Sequence, residues 1–268
     1  MITRDYVDSV REEFSHLLRN EVFEVDKSGC RVLEVRAASF CADEDSIFGE
    51  VDASYVQREL EWYKSQSLNV NDFPGGAPTI WKQVANRHGE INSNYGYRIW
   101  SAETGSQYRR VLDELKANPS SRRAVMIYTC PEMHHLYDFD GMSDFICTNA
   151  AQYLVRYGIL HAIVQMRSSD AVFGYKNDRA WHQHVLTELA GELGVQAGRI
   201  TWQAGSLHVY ERHFYLVDNY GRTGERSVKR SVYDERYPSS PWRARREVAQ
   251  ATHGDGQARV DVEQGPVE

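Results

Sequence analysis

Residues 145–166 read FICTNAAQYLVRYGILHAIVQM and decide how the rest of the chain is interpreted. Two apolar runs rich in strand-forming residues flank Tyr157-Gly158, a pair typical of the turn in a β-hairpin. The pattern predicts two antiparallel strands, Phe145–Val155 and Ile159–Met166. Cys147 falls inside the first of them, which makes this hairpin the first candidate for a functional site.

The segments around this hairpin alternate between helical and extended patterns. We predict helices and strands over the following ranges: helices 1–18, Asp52–Ser67 and Arg179–Leu193; strands Arg31–Phe40, Arg123–Thr129 and Arg199–Gln203. The expected buried residues of the first two helices are Val7, Val10, Phe14 and Leu17, and then Val56, Leu60 and Tyr63. A Pro/Gly-rich loop spans Phe73–Pro78. This mixture predicts an α+β fold and leaves the order of the strands open.

Composition limits the class of protein. The chain has 268 residues, a formal net charge of −7 and 12% aromatic residues, which is typical of a globular protein and not of a disordered one. The acidic balance argues against general nucleic-acid binding. We find no apolar run long enough to span a membrane and no secretory leader, and four scattered cysteines favour a reducing cytoplasm. We predict one domain over residues 1–238 and a mobile tail over 239–268.

Cys147 is the first candidate for chemistry. A single cysteine in a strand is usually a small buried hydrophobic residue. However, Arg167 and Ser168 stand at the end of the next predicted strand. A guanidinium beside a thiol favours the thiolate, which is the nucleophilic form, and Arg167 with Ser168 could also hold a phosphate.

Three further features have ordinary structural explanations when taken singly. Asp178 precedes a predicted helix and would normally be its N-cap. His208 and Tyr210 are two residues apart and could be a structural pair on one face of a strand. Arg122-Arg123 could be a solvated surface pair.

Taken together, the order and spacing of these residues resemble the thymidylate synthase family over roughly Phe23 to Tyr220. Within it, the sequence is most similar to the phage deoxycytidylate 5-hydroxymethyltransferases. The stretches that carry the resemblance are 57–63 (QRELEWY), 89–96 (GEINSNYG), 141–145 (GMSDF) and 205–210 (GSLHVY). The resemblance implies a large mixed β-sheet with packed helices and a homodimer formed through the sheet faces.

The resemblance also implies a role for each matching residue. Cys147 would be the nucleophile that adds to C6 of a pyrimidine, and Glu59 would organise water and proton transfer near the base. The implied nucleotide-binding residues are Lys27, Arg122, Arg123, Arg167, Ser168, Asp178, His208 and Tyr210. Arg122 and Arg123 would reach into the site of the partner subunit. Trp81 and Asp170 would bind the co-substrate 5,10-methylenetetrahydrofolate, and no metal is implied.

Asp178 departs from the family pattern, because thymidylate synthases have Asn at this position. The amide of Asn suits uracil, whose O4 accepts and whose N3–H donates. A carboxyl group can accept from the N4 amino group of cytosine and, when protonated, donate to N3, so Asp178 indicates a cytosine base. Two further departures are Ile146, which replaces the Pro before the cysteine, and Tyr175-Lys176-Asn177, which replaces a Leu-Pro-Phe run that helps to form the wall of the folate site.

The expected activity is 5-hydroxymethylation of deoxycytidylate in the cytoplasm, or in the host cytoplasm if the protein is viral. The sequence leaves open a CMP 5-hydroxymethylase of the kind found in nucleoside-antibiotic pathways, since no motif reads the 2′-carbon. Thymidylate synthesis or dUMP hydroxymethylation ranks lower because of Asp178. A nucleotide-binding relative without catalysis would conflict with the presence of Cys147 alongside the other matching residues.

Overall fold

The computed structural model describes residues 5–26 and 29–243. In that part of the chain, six strands form one sheet in the order β1-β2-β6-β5-β4-β3. The strands are β1 Glu24–Val25, β2 Arg31–Cys41, β3 Val125–Ile127, β4 Thr148–Arg156, β5 Ile159–Asp170 and β6 Gln196–Tyr210. β5 and β6 run parallel, while the other neighbours are antiparallel. The predicted mixed sheet is therefore confirmed.

Helices pack around this sheet. They are α1 Val7–Arg19, α2 Ala53–Ser65, α3 Thr79–Val84, α4 Tyr95–Trp100, α5 Gln107–Ala117, α6 Met133–Leu136, α7 Gly174–Leu193, α8 Phe214–Thr223 and α9 Arg230–Arg236. Sequence periodicity did not predict the short helices α3, α4 and α6, nor α5, α8 and α9. No helix among the described residues is both long enough and apolar enough to cross a membrane.

The central hairpin forms as predicted, with β4 and β5 in antiparallel register. Its turn residues Tyr157 and Gly158 both have positive φ, 54° and 75°. Two consecutive positive φ values are what a two-residue turn needs to match the twist of the strands, and glycine adopts them without strain.

Several predicted boundaries were wrong. Cys147 is not inside a strand but is the bend residue just before β4. α7 begins five residues earlier than predicted, so Asp178 lies within the helix rather than at its N-cap. β6 continues past Gln203 to Tyr210, because pairing with both β2 and β5 extends it beyond its apolar run.

The buried face of α2 also differs from the predicted stripe. Val56 and Leu60 are only half-buried, whereas Glu59, Trp62 and Tyr63 face the interior. Glu59 is therefore no exposed surface charge: 5% of it is accessible to solvent. A carboxylate in an interior position needs a reason, because burial without partners is costly.

The two faces of the sheet are unequally covered. Along β4 and β5, Tyr153, Ala162 and Val164 are buried, whereas their alternate neighbours Leu154 and Ile163 are only half-buried. α7 covers the buried face, where the Tyr175 and Trp202 rings meet at 5.2 Å. The opposite face is left with partly exposed apolar side chains.

Parts of two predictions fall outside the described residues, namely Lys27 and most of the predicted tail. The described beginning of the tail includes Trp242, whose indole packs against Phe214 at 5.1 Å and Phe23 at 6.0 Å between ring centroids. The guanidinium of Arg31 lies 5.4 Å from the same indole ring.

Candidate active site

Cys147 and Arg167 meet where β4 begins and β5 nears its end. The backbone N–H of Arg167 donates to the Cys147 carbonyl at 2.9 Å, and Nη2 of Arg167 lies 3.7 Å from Sγ. The guanidinium also donates to the carbonyls of Phe145 and Ile146, the latter at 2.9 Å from Nε. The loop carrying the cysteine is thus fixed by the same side chain that contacts its sulfur.

The end of the sheet places a row of polar residues side by side. His208 on β6 pairs with Glu34 on β2 and with Asp170 on β5, so a carboxylate residue stands on each side of it. In the adjacent row, Ser206 pairs with Ser168. Tyr210 continues on the same side, with its ring 5.0 Å from that of His208.

α7 begins directly above this row. Oδ1 of Asp170 accepts from the backbone N–H of Val172 at 2.8 Å, which turns the chain from β5 into the helix. A β-carbon at Gly174 would lie 3.4 Å from Cβ of Asp170 and 3.8 Å from Oδ2 of Asp178. The first turns of α7 therefore hold the Asp170 and Asp178 side chains close together.

The surroundings of Asp178 favour the protonated form of its carboxyl group. Burial, and then the charge of Glu59, raise the pKa of Asp178 to about 8, although a hydrogen bond with Tyr95 lowers it. The charge of Asp178 in turn raises the pKa of Cys147, so the two groups interact electrostatically. The sequence predicted both residues for one site, and the fold brings them into one electrostatic neighbourhood.

Glu59 has partners that explain its burial. Tyr55 donates from its hydroxyl to Oε1 of Glu59 at 2.6 Å, and Nε1 of Trp81 donates to the Tyr55 hydroxyl at 3.1 Å. Burial raises the pKa of Glu59 to about 7, while hydrogen bonds from Tyr55 and Trp81 lower it. Such a carboxyl group can gain or lose a proton near neutral pH.

Burial and nearby charges act in opposite directions on the cysteine. Burial raises the pKa of Cys147 to about 12, and the Arg167 guanidinium offsets this only in part. Asp178, Asp144 and Asp170 add to the rise. Burial therefore opposes the thiolate that Arg167 favours, and the role of Arg167 in holding the sulfur as thiolate stays a prediction.

The chain is similar to known proteins over most of its length. The profile of the family described as Thymidylate synthase matches residues 49–231. The chain belongs to the thymidylate synthase family. The deoxycytidylate 5-hydroxymethyltransferase of Enterobacteria phage T4 is 50% identical over 86% of this chain and 97% of that protein. The phage T2 protein of the same name is 51% identical over 85% and 96%. A thymidylate synthase from Bacillus subtilis subsp. natto is 31% identical over 60% and 58%.

In this thymidylate synthase family member, Tyr95 is a site residue that our sequence reasoning did not single out. Its hydroxyl bonds with Asp178 and Thr148, and the charge of Cys147 helps to raise its pKa. It lies in the stretch 89–96 quoted for the resemblance, which was the available signal. Tyr55 gave no such signal, because its contact with Glu59 depends on how α2 packs.

Asp144 is a second residue that the sequence did not assign. Its Oδ2 accepts from the backbone N–H groups of Asn92 and Ser93 at 2.7 and 2.8 Å, and Oδ1 accepts from the Ser93 hydroxyl at 2.6 Å. These bonds tie the segment before Tyr95 to the segment before Cys147. Two sequence-distant stretches of the site are thereby held in one geometry.

Arg122 and Arg123 lie away from Cys147. They precede β3, whose register places Arg123 level with Leu154, seven residues along β4 from Cys147. Seven strand residues span about 23 Å. Arg123 pairs instead with Glu114 at 2.9 Å, with 79% of its side chain exposed. Within one chain, these arginines and the cysteine cannot contact the same mononucleotide.

No group of three or more potential metal-binding side chains occurs within residues 5–26 and 29–243. The side chains gathered around Cys147 are instead carboxyl, hydroxyl, imidazole and guanidinium groups. These are suited to hydrogen bonding and proton transfer with an organic substrate.

Proposed function

We propose that the protein is a deoxycytidylate 5-hydroxymethyltransferase. It transfers the one-carbon unit of 5,10-methylenetetrahydrofolate to C5 of dCMP and adds water, giving 5-hydroxymethyl-dCMP and tetrahydrofolate. The observation that carries the proposal is a buried carboxyl group with a raised pKa, Asp178, in the electrostatic neighbourhood of Cys147. The identity of 50% with the phage T4 protein over most of both chains supports the same conclusion.

Asp178 fits a cytosine base through a pair of hydrogen bonds and through proton transfer. The neutral acid donates its O–H to N3 of cytosine and accepts from the N4 amino group with its carbonyl oxygen. A uracil has N3–H in place of the N3 lone pair, so it offers no nitrogen for the acid to protonate when sulfur adds to C6. Burial raises the pKa of Asp178 to about 8, which favours the neutral acid near neutral pH.

Cys147 activates the ring by adding to C6. The S–H bond breaks, the S–C6 bond forms, and the electron pair displaced from the ring is stabilised when Asp178 protonates N3. Asp178 can then take up the proton that leaves the sulfur, so one proton moves from S to N3 overall. C5 becomes a nucleophilic enamine carbon that can accept the one-carbon unit.

Other residues bind the two substrates. Arg167 and Ser168 hold the phosphate, together with Lys27 from outside the described residues. His208 and Tyr210 bind the sugar hydroxyl. The half-buried Trp81 indole and the Asp170 carboxylate offer the flat surface and the acceptor that a pterin requires, which fits folate binding.

The active form is a homodimer joined through the partly exposed face of the sheet. Leu154 and Ile163 supply apolar surface there, and isolated apolar faces of this kind favour association. Arg122 and Arg123 then complete the phosphate site of the partner subunit. This arrangement resolves their separation of about 23 Å from Cys147 within one chain.

Product analysis tests the activity. The protein is incubated with methylenetetrahydrofolate and each of dCMP, CMP and dUMP, and the products are identified by mass. We expect dCMP to gain CH₂O, and Cys147→Ser to form no product while still binding dCMP. A gain of CH₂ would indicate reductive methylation, preference for CMP would favour the ribonucleotide enzyme, and turnover by Cys147→Ser would contradict the covalent step.

A further inference from the structure

Glu34 and Ser206 form a hydrogen-bonded pair beside His208 that none of the assigned roles uses. The Ser206 hydroxyl donates to Oε1 of Glu34 at 2.5 Å. The same Oγ lies 3.5 Å from Nδ1 of His208. All three side chains are half-buried at the end of the sheet, where β2 and β6 pair.

The direction of these bonds follows from the chemistry of the groups. A carboxylate only accepts, so the single hydrogen of Ser206 is committed to Glu34. The oxygen of Ser206 then has only lone pairs to offer to the imidazole. In a hydrogen bond between these two atoms, Nδ1 of His208 is then the donor.

The surroundings of His208 act on its charge in opposite directions. A hydrogen bond with the backbone of Ser206 raises the pKa of the imidazole, as do the charges of Asp170 and Glu34. Burial is the larger effect and lowers the pKa of His208, which favours the neutral ring.

We propose that Glu34 and Ser206 are positioning residues that hold His208 with Nδ1 protonated, so that Nε2 accepts a hydrogen bond from the sugar hydroxyl of the nucleotide. This inference rests on the sugar-binding role given to His208 under the proposed function. The nucleotide binds more tightly when its sugar hydroxyl meets an acceptor nitrogen that is already oriented. An imidazole that can flip or change tautomer offers that acceptor only part of the time.

The first test compares dCMP with 2′,3′-dideoxycytidine monophosphate as substrates. We expect the wild-type kcat/KM to favour dCMP about tenfold, since one hydrogen bond contributes about 1–1.5 kcal/mol. Ser206→Ala should lower this preference about threefold or more, because it raises KM for dCMP. Its kcat for the dideoxy substrate should stay within about twofold of the wild-type value. Glu34→Ala should act in the same direction, because it frees the Ser206 hydrogen to compete for Nδ1.

The controls separate this inference from the proposed function. Ser206→Thr retains the hydroxyl and should retain the preference, and Ser39→Ala on β2 should leave it unchanged. A wild-type enzyme without any preference would refute the sugar contact of His208, and with it the reason for the pair. A wild-type preference that survives Ser206→Ala intact would overturn the positioning role alone.

A direct measurement on the wild-type protein does not depend on any variant folding. Nitrogen-15 NMR of the imidazole at pH 7.5 distinguishes a protonated Nδ1 from a protonated Nε2. We expect the His208 spectrum to show Nδ1–H and an unprotonated Nε2. The opposite tautomer would overturn the proposal.

Discussion

Two carboxyl groups near the proposed base site have raised pKa values. Burial raises the pKa of Asp178 to about 8 and that of Glu59 to about 7. Both groups can therefore exchange protons with a substrate or with water near neutral pH.

Asp178→Asn should shift base preference from cytosine toward uracil nucleotides. The amide keeps the size of the side chain and can form a hydrogen-bond pair with either base, but it cannot transfer a proton to N3 of cytosine as the carboxylic acid does. We expect kcat/KM for dCMP to fall roughly ten- to hundredfold, measured against dUMP in the same assay. The exposed Asp138→Asn is the matched control, and an unchanged preference in Asp178→Asn would remove Asp178 from base selection.

The same substitution should change how stability depends on pH. The pKa of Asp178 rises from its ordinary value of 3.8 to about 8 on folding. Between these values the folded state retains a proton that the unfolded state has lost, so wild-type stability falls as pH rises through this window. Asp178→Asn has no such proton, so its stability does not fall in this way. The free energy of unfolding of the variant, minus that of wild type, should therefore be larger at pH 8 than at pH 5.

Urea unfolding of both proteins at pH 5 and pH 8 checks this expectation. Asp138→Asn serves again as the control and should show no comparable pH-dependent difference. If the difference between Asp178→Asn and wild type were the same at both pH values, the folded protein would not hold the proton on Asp178.

Among the secondary-structure elements, the contact between α2 and α4 governs the geometry of the site. α2 carries Glu59, and α4 begins with Tyr95. A β-carbon at Gly96 would lie 1.9 Å from the carbonyl oxygen of Tyr63 in α2. The two helices can approach this closely only because residue 96 is glycine.

Gly96→Ala should therefore force α4 away from α2. We expect a loss of about 1–3 kcal/mol in unfolding free energy and a lower kcat, because Tyr95 moves relative to Asp178. Gly191→Ala in α7 is the matched control: its added methyl would have no neighbour within 4 Å, and it should stabilise the helix by about 0.5–1 kcal/mol. Chemical denaturation and steady-state kinetics measure both effects, and unaltered stability in Gly96→Ala would contradict the close contact.

For the whole molecule, the position of Arg123 leads to a prediction about assembly. Chains carrying Arg123→Ala and chains carrying Cys147→Ala should each be nearly inactive alone. After mixing and subunit exchange, a heterodimer has one site with both an intact cysteine and an intact partner arginine, so partial activity should return. Heterodimers that form, as shown by a mass tag, without any rescue would argue against shared sites.

The linear pattern determined the hairpin around Tyr157-Gly158, the strand β2, the mixed fold class and membership of the thymidylate synthase family. These features are local or depend on residue order: turn chemistry, alternation along a strand and motif spacing are all present in the chain before it folds. The replacement of the family's Asn by Asp178 can likewise be read from the sequence alone. The roles of the predicted site residues stay predictions, which the experiments above test.

Tertiary structure alone decided the burial of Glu59, the start of α7 before Asp178, the raised pKa of Cys147 and the pair formed by Glu34 and Ser206. Each depends on which distant segments come to surround a group, and periodicity contains no such information. Desolvation and neighbouring charges set a pKa, and both are sums over the folded environment. A motif can therefore name the acid and the nucleophile, but only packing determines which of them carries the proton.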